Sequence, residues 1–277
     1  MDSNNNGLQA SAPSDNDKLL TISKGVSNIS IEEEVARSEL DSSEIKLLEK
    51  IGKGSYGVVY KGRLRGKEVA VKKLYESKLD ENTMDSFKKE VAIMSKLRHP
   101  NVLLFMGACT EPGNLLIVTE LMPKGSVYDL LHSDKNQIPF QRKMKIAKDA
   151  AMGMNWLHLS TPVFIHRDLK TGNLLVDQNW NVKVSDFGLS HFKQQRQEKG
   201  NYGAIGTPLW MAPEVLLNKE YNESADVYSF GIVLWELLTQ EEPFPDIETF
   251  EDMIERVCMQ HERPPIPEDA PPTLKKL

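Results

Sequence analysis

The sequence predicts an α+β protein with two lobes, a small antiparallel β lobe with one helix and a larger, mainly helical lobe. Two observations support this prediction. Residues 45–122 contain five short strand-like runs and one helical segment, whereas long helical segments dominate after residue 125. The chain of 277 residues is also long enough to form two separate hydrophobic cores. We expect a hinge between the lobes near residues 120–125.

Composition and charge exclude several classes of function. With 40% hydrophobic and 27% charged residues, the composition is that of an ordinary globular protein. The net charge of -6 offers no bulk attraction to nucleic acid or to an anionic membrane. No apolar stretch reaches the roughly 20 residues that span a bilayer, and Asp2 stands where N-myristoylation needs glycine. We therefore expect no nucleic-acid partner and no direct membrane anchor.

The cysteines and the N-terminal composition predict the compartment and the extent of the folded domain. Cys109 and Cys258 are the only cysteines and lie far apart, which favours a reducing compartment and a cytoplasmic location. Residues 1–42 are rich in Asn, Ser and Asp, which predicts a disordered tail. The domain is expected to span residues 43–277, with its small lobe over 43–122 and its larger lobe over 123–277. The oligomeric state is not predicted.

Strand and helix patterns follow one another along the chain. The strand-like runs of the small lobe are IKLLEKIG, GVVYKG and EVAVKKL, followed by the helical TMDSFKKEVAIMSKLR and two further strands in NVLLFMGAC and NLLIVTEL. The larger lobe has the helical segments VYDLLHS, FQRKMKIAKDAAMGMNWLH and SADVYSFGIVLWELLT. The last is apolar nearly all round, which is typical of a helix buried on every side.

A predicted hairpin carries polar side chains at its open end. The runs 174–176 and 182–184 read as two strands joined by a turn over residues 178–181. Antiparallel pairing would bring Asn173 and Asp186 together, with Asp168 in the preceding loop. Such oxygen groups suit Mg²⁺, which takes one or two carboxylates and completes its shell with water and phosphate oxygens. The alternative is a set of polar residues that only flank a hairpin and bond to its backbone.

The stretch IGKGSYGVVYKG places Gly52, Gly54 and Gly57 between two strand-like runs. Glycine lets backbone N–H groups approach phosphate oxygens without a Cβ in the way. A dinucleotide-binding fold would require this motif between a strand and a helix. The sequence therefore favours a hairpin lid over the phosphates of a nucleotide, with an ordinary glycine-rich turn as the alternative.

A lysine and a glutamate are expected to form an ion pair in the small lobe. Side-chain alternation in EVAVKKL puts Ala70 and Lys72 on one face of a strand. In the following helix, Glu90 shares the apolar stripe of Phe87 and Val91. An unpaired carboxylate there would be costly, so Lys72 is its expected partner. A glutamate that reaches solvent at the rim is the alternative.

These features occur in one order along the chain, together with the stretches HRDLKTGN, DFG and APE. From about Ile45 to its end the sequence resembles the eukaryotic protein kinases. RHPNVLLFMGACTEPGNLLIVTEL and TPLWMAPEV are similar to the tyrosine-kinase-like group, near Raf and mixed-lineage kinases. The resemblance implies the bilobal protein kinase fold, with its C-terminal helices missing before Leu277 and apolar surface exposed as a result. It also implies transfer of the ATP γ-phosphate to protein substrates in intracellular signalling.

The resemblance implies a role for each residue of the candidate site. Asp168 would accept the substrate hydroxyl proton and Lys170 would steady the γ-phosphate. Lys72, positioned by Glu90, would hold the α- and β-phosphates. Asn173 and Asp186 would bind magnesium, with two ions expected and Mn²⁺ as a possible substitute, and Asp226 would brace the HRD backbone. The remaining residues expected at the nucleotide are Ile51, Gly52, Gly54, Gly57, Val59, Ala70, Thr119, Glu120 and Met122.

Substrate specificity and regulation are further expectations from the resemblance. Lys170 and Thr207 match the serine/threonine kinases, whereas Trp210 is shared with tyrosine kinases and leaves dual specificity open. A pseudokinase scaffold is the less favoured alternative because the catalytic residues are intact. Tyr202 or Ser190 is expected to be the phosphorylated switch, with Thr207 in substrate docking. An upstream kinase or autophosphorylation in trans would supply that phosphate.

Overall fold

A computed structural model describes residues 30–54, 57–75, 81–111, 113–133, 137–161, 163–186 and 208–276. The three residues predicted to be regulatory, Ser190, Tyr202 and Thr207, lie outside the described residues. In the described part of the chain, no helix is both long and apolar enough to cross a bilayer.

The chain begins its described part with a helix that the sequence did not predict. Helix α1 spans Ile31–Ser38, and the Ser30 side chain caps it by accepting a hydrogen bond from the Glu33 N–H at 3.2 Å. The prediction of disorder is therefore wrong for residues 30–42, and residues 1–29 lie outside the described residues. Only Val35 is buried on this helix, so its sequence pattern is too weak to reveal contacts that tertiary packing supplies.

The small lobe is a five-stranded antiparallel sheet, as the sequence predicted. Its strands are β1 Ile45–Lys53, β2 Gly57–Leu64, β3 Lys67–Leu74, β4 Phe105–Cys109 and β5 Leu116–Glu120. They are ordered β1-β2-β3-β5-β4. On β3, Val69 and Val71 are fully buried against one core, and alternation directs Ala70 and Lys72 to the opposite face.

Helix α2, Glu81–Met94, contributes Phe87 and Val91 to a second core that also contains Leu74 of β3. Phe87 and Val91 are both fully buried, which confirms the apolar stripe predicted for this helix. Because Glu90 lies on the same stripe, the helix carries its carboxylate into the interior of the small lobe.

The larger lobe contains the three helices that the sequence predicted, α3 Val127–Leu131, α4 Phe140–His158 and α6 Ser224–Thr239. It also contains two short helices that the sequence did not predict, α5 Pro213–Leu216 and α7 Phe250–Met253, the latter continued by a π-helical segment, Ile254–Met259. The predicted hairpin forms from β6, Leu174–Val176, and β7, Val182–Val184. Gly153 lets α4 lie close to the segment before β4, since a Cβ there would stand 2.4 Å from the Asn101 carbonyl oxygen.

Helix α6 is not buried on every side. Val227 is 62% exposed, so apolar surface on this helix faces solvent. In contrast, two of its carboxylates, Asp226 and Glu236, are buried. The helix therefore directs acidic side chains inward, where charged groups persist only with hydrogen-bond partners.

Candidate active site

The hairpin β6–β7 brings the predicted oxygen ligands to one place. Leu174 pairs with Val184 at its open end. The Asn173 carbonyl oxygen accepts hydrogen bonds from the Ser185 backbone N–H at 2.8 Å and from its hydroxyl at 3.0 Å. These bonds hold Ser185, which precedes Asp186, against Asn173, which precedes β6. Asn173 and Asp186 are thus brought together by backbone pairing, as the sequence predicted.

Asp168 is buried and is held by two neighbours in the same loop. The Asn173 amide nitrogen donates to the Asp168 carbonyl oxygen at 2.7 Å and to its Oδ2 at 2.8 Å. The Lys170 ammonium lies 3.4 Å from the Asp168 Oδ1. Both hydrogens of the Asn173 amide nitrogen are donated to Asp168. The Asn173 Oδ1 is therefore the side-chain atom of this residue that can bind a cation.

Asp226, at the start of α6, supports the backbone of the loop that carries Asp168. Its carboxylate accepts hydrogen bonds from the backbone N–H groups of His166 and Arg167, each at 2.8 Å, and lies 2.8 Å from the His158 Nε2. Burial alone would raise the pKa of Asp226, but the bonds from His158 and the loop lower it below its ordinary value. The carboxylate therefore stays ionised and holds Arg167 with a φ of 67°.

The His166 imidazole joins this loop to the end of β7. The Asp168 N–H donates to His166 Nδ1 at 3.2 Å, and His166 Nε2 lies 3.0 Å from the Ser185 carbonyl oxygen. A ring nitrogen that accepts a hydrogen bond carries no proton, so the neutral ring is protonated at Nε2 and donates to Ser185. The ring thereby couples the position of Asp168 to that of the hairpin.

The predicted ion pair between Lys72 and Glu90 is not formed. Among the described residues, the Lys72 ammonium makes its ion pair with Asp186, at 2.6 Å from Oδ1. Burial raises the pKa of Glu90 to about 8, against the opposing effect of Lys72, and its Oε2 has no hydrogen-bond partner. Near neutral pH the Glu90 carboxyl is therefore mostly uncharged, whereas Asp186 offers the lysine a more exposed partner.

The glycine-rich stretch forms the predicted hairpin between β1 and β2. The Gly54 N–H donates to the Gly57 carbonyl oxygen at 2.9 Å, and Gly52 pairs with Val59. A Cβ on Gly57 would lie 2.2 Å from the Lys73 carbonyl oxygen, so close strand packing requires glycine there. Among the described residues, the atom nearest to a Cβ on Gly54 would be the Gly57 carbonyl oxygen, 3.9 Å away. With respect to those residues, a small side chain at position 54 would meet no steric conflict.

The hinge end of the cleft is built from β3 and β5. Ala70 pairs with Thr119, which is buried. The Glu120 carboxylate accepts hydrogen bonds from the Leu104 N–H and from the Lys183 ammonium, each at 2.7 Å. Lys183 lies on β7, so this ion pair links the hinge to the hairpin, and no sequence pattern singled it out. The other two predicted nucleotide contacts are the buried Met122 and the exposed Ile51.

Glu236 forms a second buried network that the sequence did not predict. Its Oε1 accepts a hydrogen bond from the Thr171 hydroxyl at 2.7 Å and its Oε2 accepts one from the Trp210 indole at 3.0 Å. Burial raises the pKa of Glu236 to about 7, although both hydrogen bonds oppose this shift. A glutamate within an apolar helix is the signal that could have indicated a buried partner set.

Comparison with known proteins agrees with this geometry. A family described as protein tyrosine and serine/threonine kinase matches residues 45–277. The chain belongs to the protein kinase family. The match covers every strand of the small lobe and every helix of the larger lobe described above, but not helix α1.

Three relatives illustrate the similarity of this kinase domain to named protein kinases. It is 56% identical to the dual specificity protein kinase shkC of Dictyostelium discoideum over 247 residues, 89% of this chain and 49% of that protein. It is 53% identical to shkA of the same organism over 242 residues, 86% of this chain and 46% of that protein. The probable serine/threonine-protein kinase SIS8 of Arabidopsis thaliana is 46% identical over 260 residues, 91% of this chain and 25% of that protein. The chain thus spans at most about half the length of these relatives.

Kinases of this family use ATP and Mg²⁺, and the oxygen groups of this cleft fit that ion. Asn173 and Asp186 supply an amide oxygen and a carboxylate, both hard ligands. In the described parts of the chain, no three His, Cys, Asp or Glu residues cluster closely enough to form an all-protein metal cage. Mg²⁺ does not require such a cage, because water and phosphate oxygens complete its octahedron.

Proposed function

We propose that this chain is the catalytic part of an ATP-dependent protein kinase that phosphorylates serine and threonine hydroxyls of protein substrates. The observation that carries the proposal is the arrangement around Asp168, which Asn173 and Lys170 hold in place. The same cleft brings Lys72 to Asp186. A pseudokinase scaffold would have no need of this complete set, so its presence supports catalysis.

Each catalytic side chain has a task that its surroundings support. Magnesium-bound ATP supplies the activated γ-phosphoryl group. We assign Asn173 Oδ1 and the Asp186 carboxylate to the metal, with two ions and with Mn²⁺ as a substitute. Lys72 would neutralise phosphate charge, and Lys170 would do so at the γ-phosphate. Asp168 would accept the proton of the substrate hydroxyl, a contribution on the order of 10²–10⁴ in rate.

The nucleotide base would bind at the hinge. Val59 and Ala70 lie on neighbouring strands, and we propose that they pack against the adenine ring together with Ile51. The backbone from Glu120 to Met122 would hydrogen-bond the ring edge, and Thr119 would limit the depth of the pocket. Gly52, Gly54 and Gly57 would form the lid over the phosphates.

Dual specificity is a second candidate. Four relatives at 49–56% identity carry that description in their names: shkC, shkA, shkB and shkD. Trp210 also favours dual specificity, because tyrosine kinases share a tryptophan at this position. We further propose membership of the tyrosine-kinase-like group, on the sequence stretches that resemble Raf and mixed-lineage kinases.

The proposal also covers the regulation of the kinase, its location and its partners. Protein substrates follow from the family, and the activating phosphate would come from an upstream kinase or from a second copy in trans. Tyr202 or Ser190 would receive it, and Thr207 would contact the substrate. Both cysteines are free and buried, which supports a reducing, cytoplasmic setting.

We expect no nucleic-acid partner and no membrane anchor. We assign the small lobe to residues 43–122 and the larger lobe to residues 123–277.

A transfer assay with the full-length protein tests this function. Three peptides that differ only in carrying Ser, Thr or Tyr would be incubated with radiolabelled ATP and Mg²⁺. Wild type is expected to label the Ser and Thr peptides, and labelling of all three would support dual specificity. Asp186→Ala is expected to reduce transfer at least about a hundredfold, whereas Asp252→Ala, at an exposed site, should leave it unchanged. No transfer by wild type would overturn the proposal.

A further inference from the structure

Residues 30–44, which we call the N-terminal strap, precede the segment 45–277 that matches the kinase family. The strap nevertheless packs on the small lobe. It begins with helix α1, which packs against helix α2, and it continues past β4 into a short 3-10 turn at Ser42–Glu44. Its contacts therefore join the helix that carries Glu90 to the edge strand of the sheet.

Polar contacts attach the first half of the strap to the end of helix α2. The Ser95 hydroxyl lies 3.2 Å from the Glu34 Oε2 and 3.0 Å from the Ala92 carbonyl oxygen, and it shares its single hydrogen between the two acceptors. The Lys96 ammonium lies 3.8 Å from the Glu34 Oε1. Ser95 and Lys96 follow directly after the last residue of α2, so Glu34 holds the C-terminal end of that helix.

The second half of the strap is attached to β4. The Glu39 carboxylate accepts hydrogen bonds from the Thr110 N–H at 2.8 Å and from its hydroxyl at 3.0 Å. The Leu40 N–H donates to the Ala108 carbonyl oxygen at 2.7 Å. A Cβ on Gly107 would lie 2.6 Å from the Leu40 side chain, so the strand makes room for that leucine.

Two strap side chains enter the two different cores of the small lobe. Val35 belongs to the core that contains Phe87 and Val91 of helix α2. Leu40 belongs to the core formed by Val69 and Val71 on the other face of the sheet. Both leave at most 7% of their surface exposed. One segment therefore fastens helix α2 and the sheet to each other.

We propose that the N-terminal strap is a positioning element that sets helix α2, and with it Glu90, relative to Lys72. This inference rests on the proposed kinase function. Glu90 is buried on α2, whereas Lys72 is on β3, so their separation depends on how the helix sits against the sheet. Glu34 is the key positioning residue, because it is the strap side chain that bonds to the end of α2.

The test compares Glu34→Ala with Glu33→Ala in the full-length protein. Both substitutions remove one carboxylate from the first turn of α1 and introduce the same helix-favouring residue, but the Glu33 side chain is exposed. Glu34→Ala is expected to lower kcat/KM for ATP roughly threefold to tenfold, and Ser95→Ala, which removes the partner, should do the same. Glu33→Ala should retain the wild-type value.

A double-mutant cycle separates positioning from general stability. Glu90→Gln removes the group through which the strap is proposed to act, so adding Glu34→Ala to it should cost no further activity. The inference would be overturned if the loss of activity in the double variant equalled the product of the two single losses. Equal losses in Glu34→Ala and Glu33→Ala would also overturn it. Failure of the proposed function is distinct, because wild type would then transfer no phosphate at all.

Discussion

The Lys72 ammonium of β3 lies 2.6 Å from the Asp186 Oδ1 at the end of β7, so a cation of the small lobe meets a carboxylate of the larger lobe across the cleft. We propose that phosphate and metal charge are balanced at this point of the cleft. Glu90, predicted as the partner of Lys72, does not form this ion pair, because a buried neutral carboxyl competes poorly with an exposed carboxylate for one ammonium.

Lys72→Met is expected to reduce phosphate transfer at least about a hundredfold, because a preorganised cation is removed from the phosphates. The adjacent Lys73→Met is the matched control, since its side chain alternates to the other face of β3. Both variants should keep the wild-type melting temperature in a thermal scan. Comparable activity losses for both would contradict the role assigned to Lys72.

Gly57→Ala is expected to destabilise the small lobe by about 2 kcal/mol or more, because its Cβ would overlap the Lys73 carbonyl oxygen, 2.2 Å away. Gly54→Ala should cost less than about 1 kcal/mol of stability, since the nearest atom of the described residues is 3.9 Å from its Cβ. Urea unfolding measures both free energies. Equal values for the two variants would show that β2 does not pack on β3 as described.

Asp226→Asn is expected to destabilise the protein by about 2–4 kcal/mol and to reduce transfer further than stability alone explains. An amide offers one acceptor oxygen, whereas the carboxylate accepts from both the His166 and Arg167 N–H groups. Glu223→Gln, at an exposed residue before the same helix, is the control. A variant with wild-type activity would rule out Asp226 as the support of the catalytic loop.

The raised pKa of Glu236 predicts how the free energy of unfolding changes with pH. Its folded-state pKa of about 7 exceeds the ordinary value of 4.5, so the folded protein keeps a proton that the unfolded chain has released. Its contribution is fully present below 4.5 and is lost as the pH rises through about 7. The loss is about 3 kcal/mol at most.

Urea unfolding at about pH 5 and about pH 8 measures this change, with Glu236→Gln as the comparison because it does not titrate. The wild type should lose more stability than the variant over this interval. Ionisable groups that do not contact Glu236 are the same in both proteins, so their effect cancels in the difference. An identical change in the two proteins would mean that Glu236 ionises normally in the folded state.

Much of the fold could be predicted because local patterns carry it. The bounds of α4 and α6 and both strands of the β6–β7 hairpin agree with the predicted segments, since periodicity and turn residues are local properties. Antiparallel pairing then implied the approach of Asn173 and Asp186 without further information. The order of the motifs along the chain completed the prediction of the kinase family.

Other features depend on which surfaces meet. The strap around Val35 and Leu40 escaped prediction because short segments with one or two buried side chains have no distinctive periodicity. Glu236 escaped because its partners, Thr171 and Trp210, are distant in sequence. The choice of Asp186 over Glu90 by Lys72 depends on relative burial, which only packing establishes.

The amino-acid sequence alone thus specified the elements, the lobe order and the chemical groups of the cleft, because propensity, alternation and motif spacing act over a few residues. Tertiary structure decided which charged groups are paired, which are neutralised by burial and which segment braces helix α2. Those outcomes follow from desolvation and from contacts between distant residues, and neither is encoded in any local stretch of the chain.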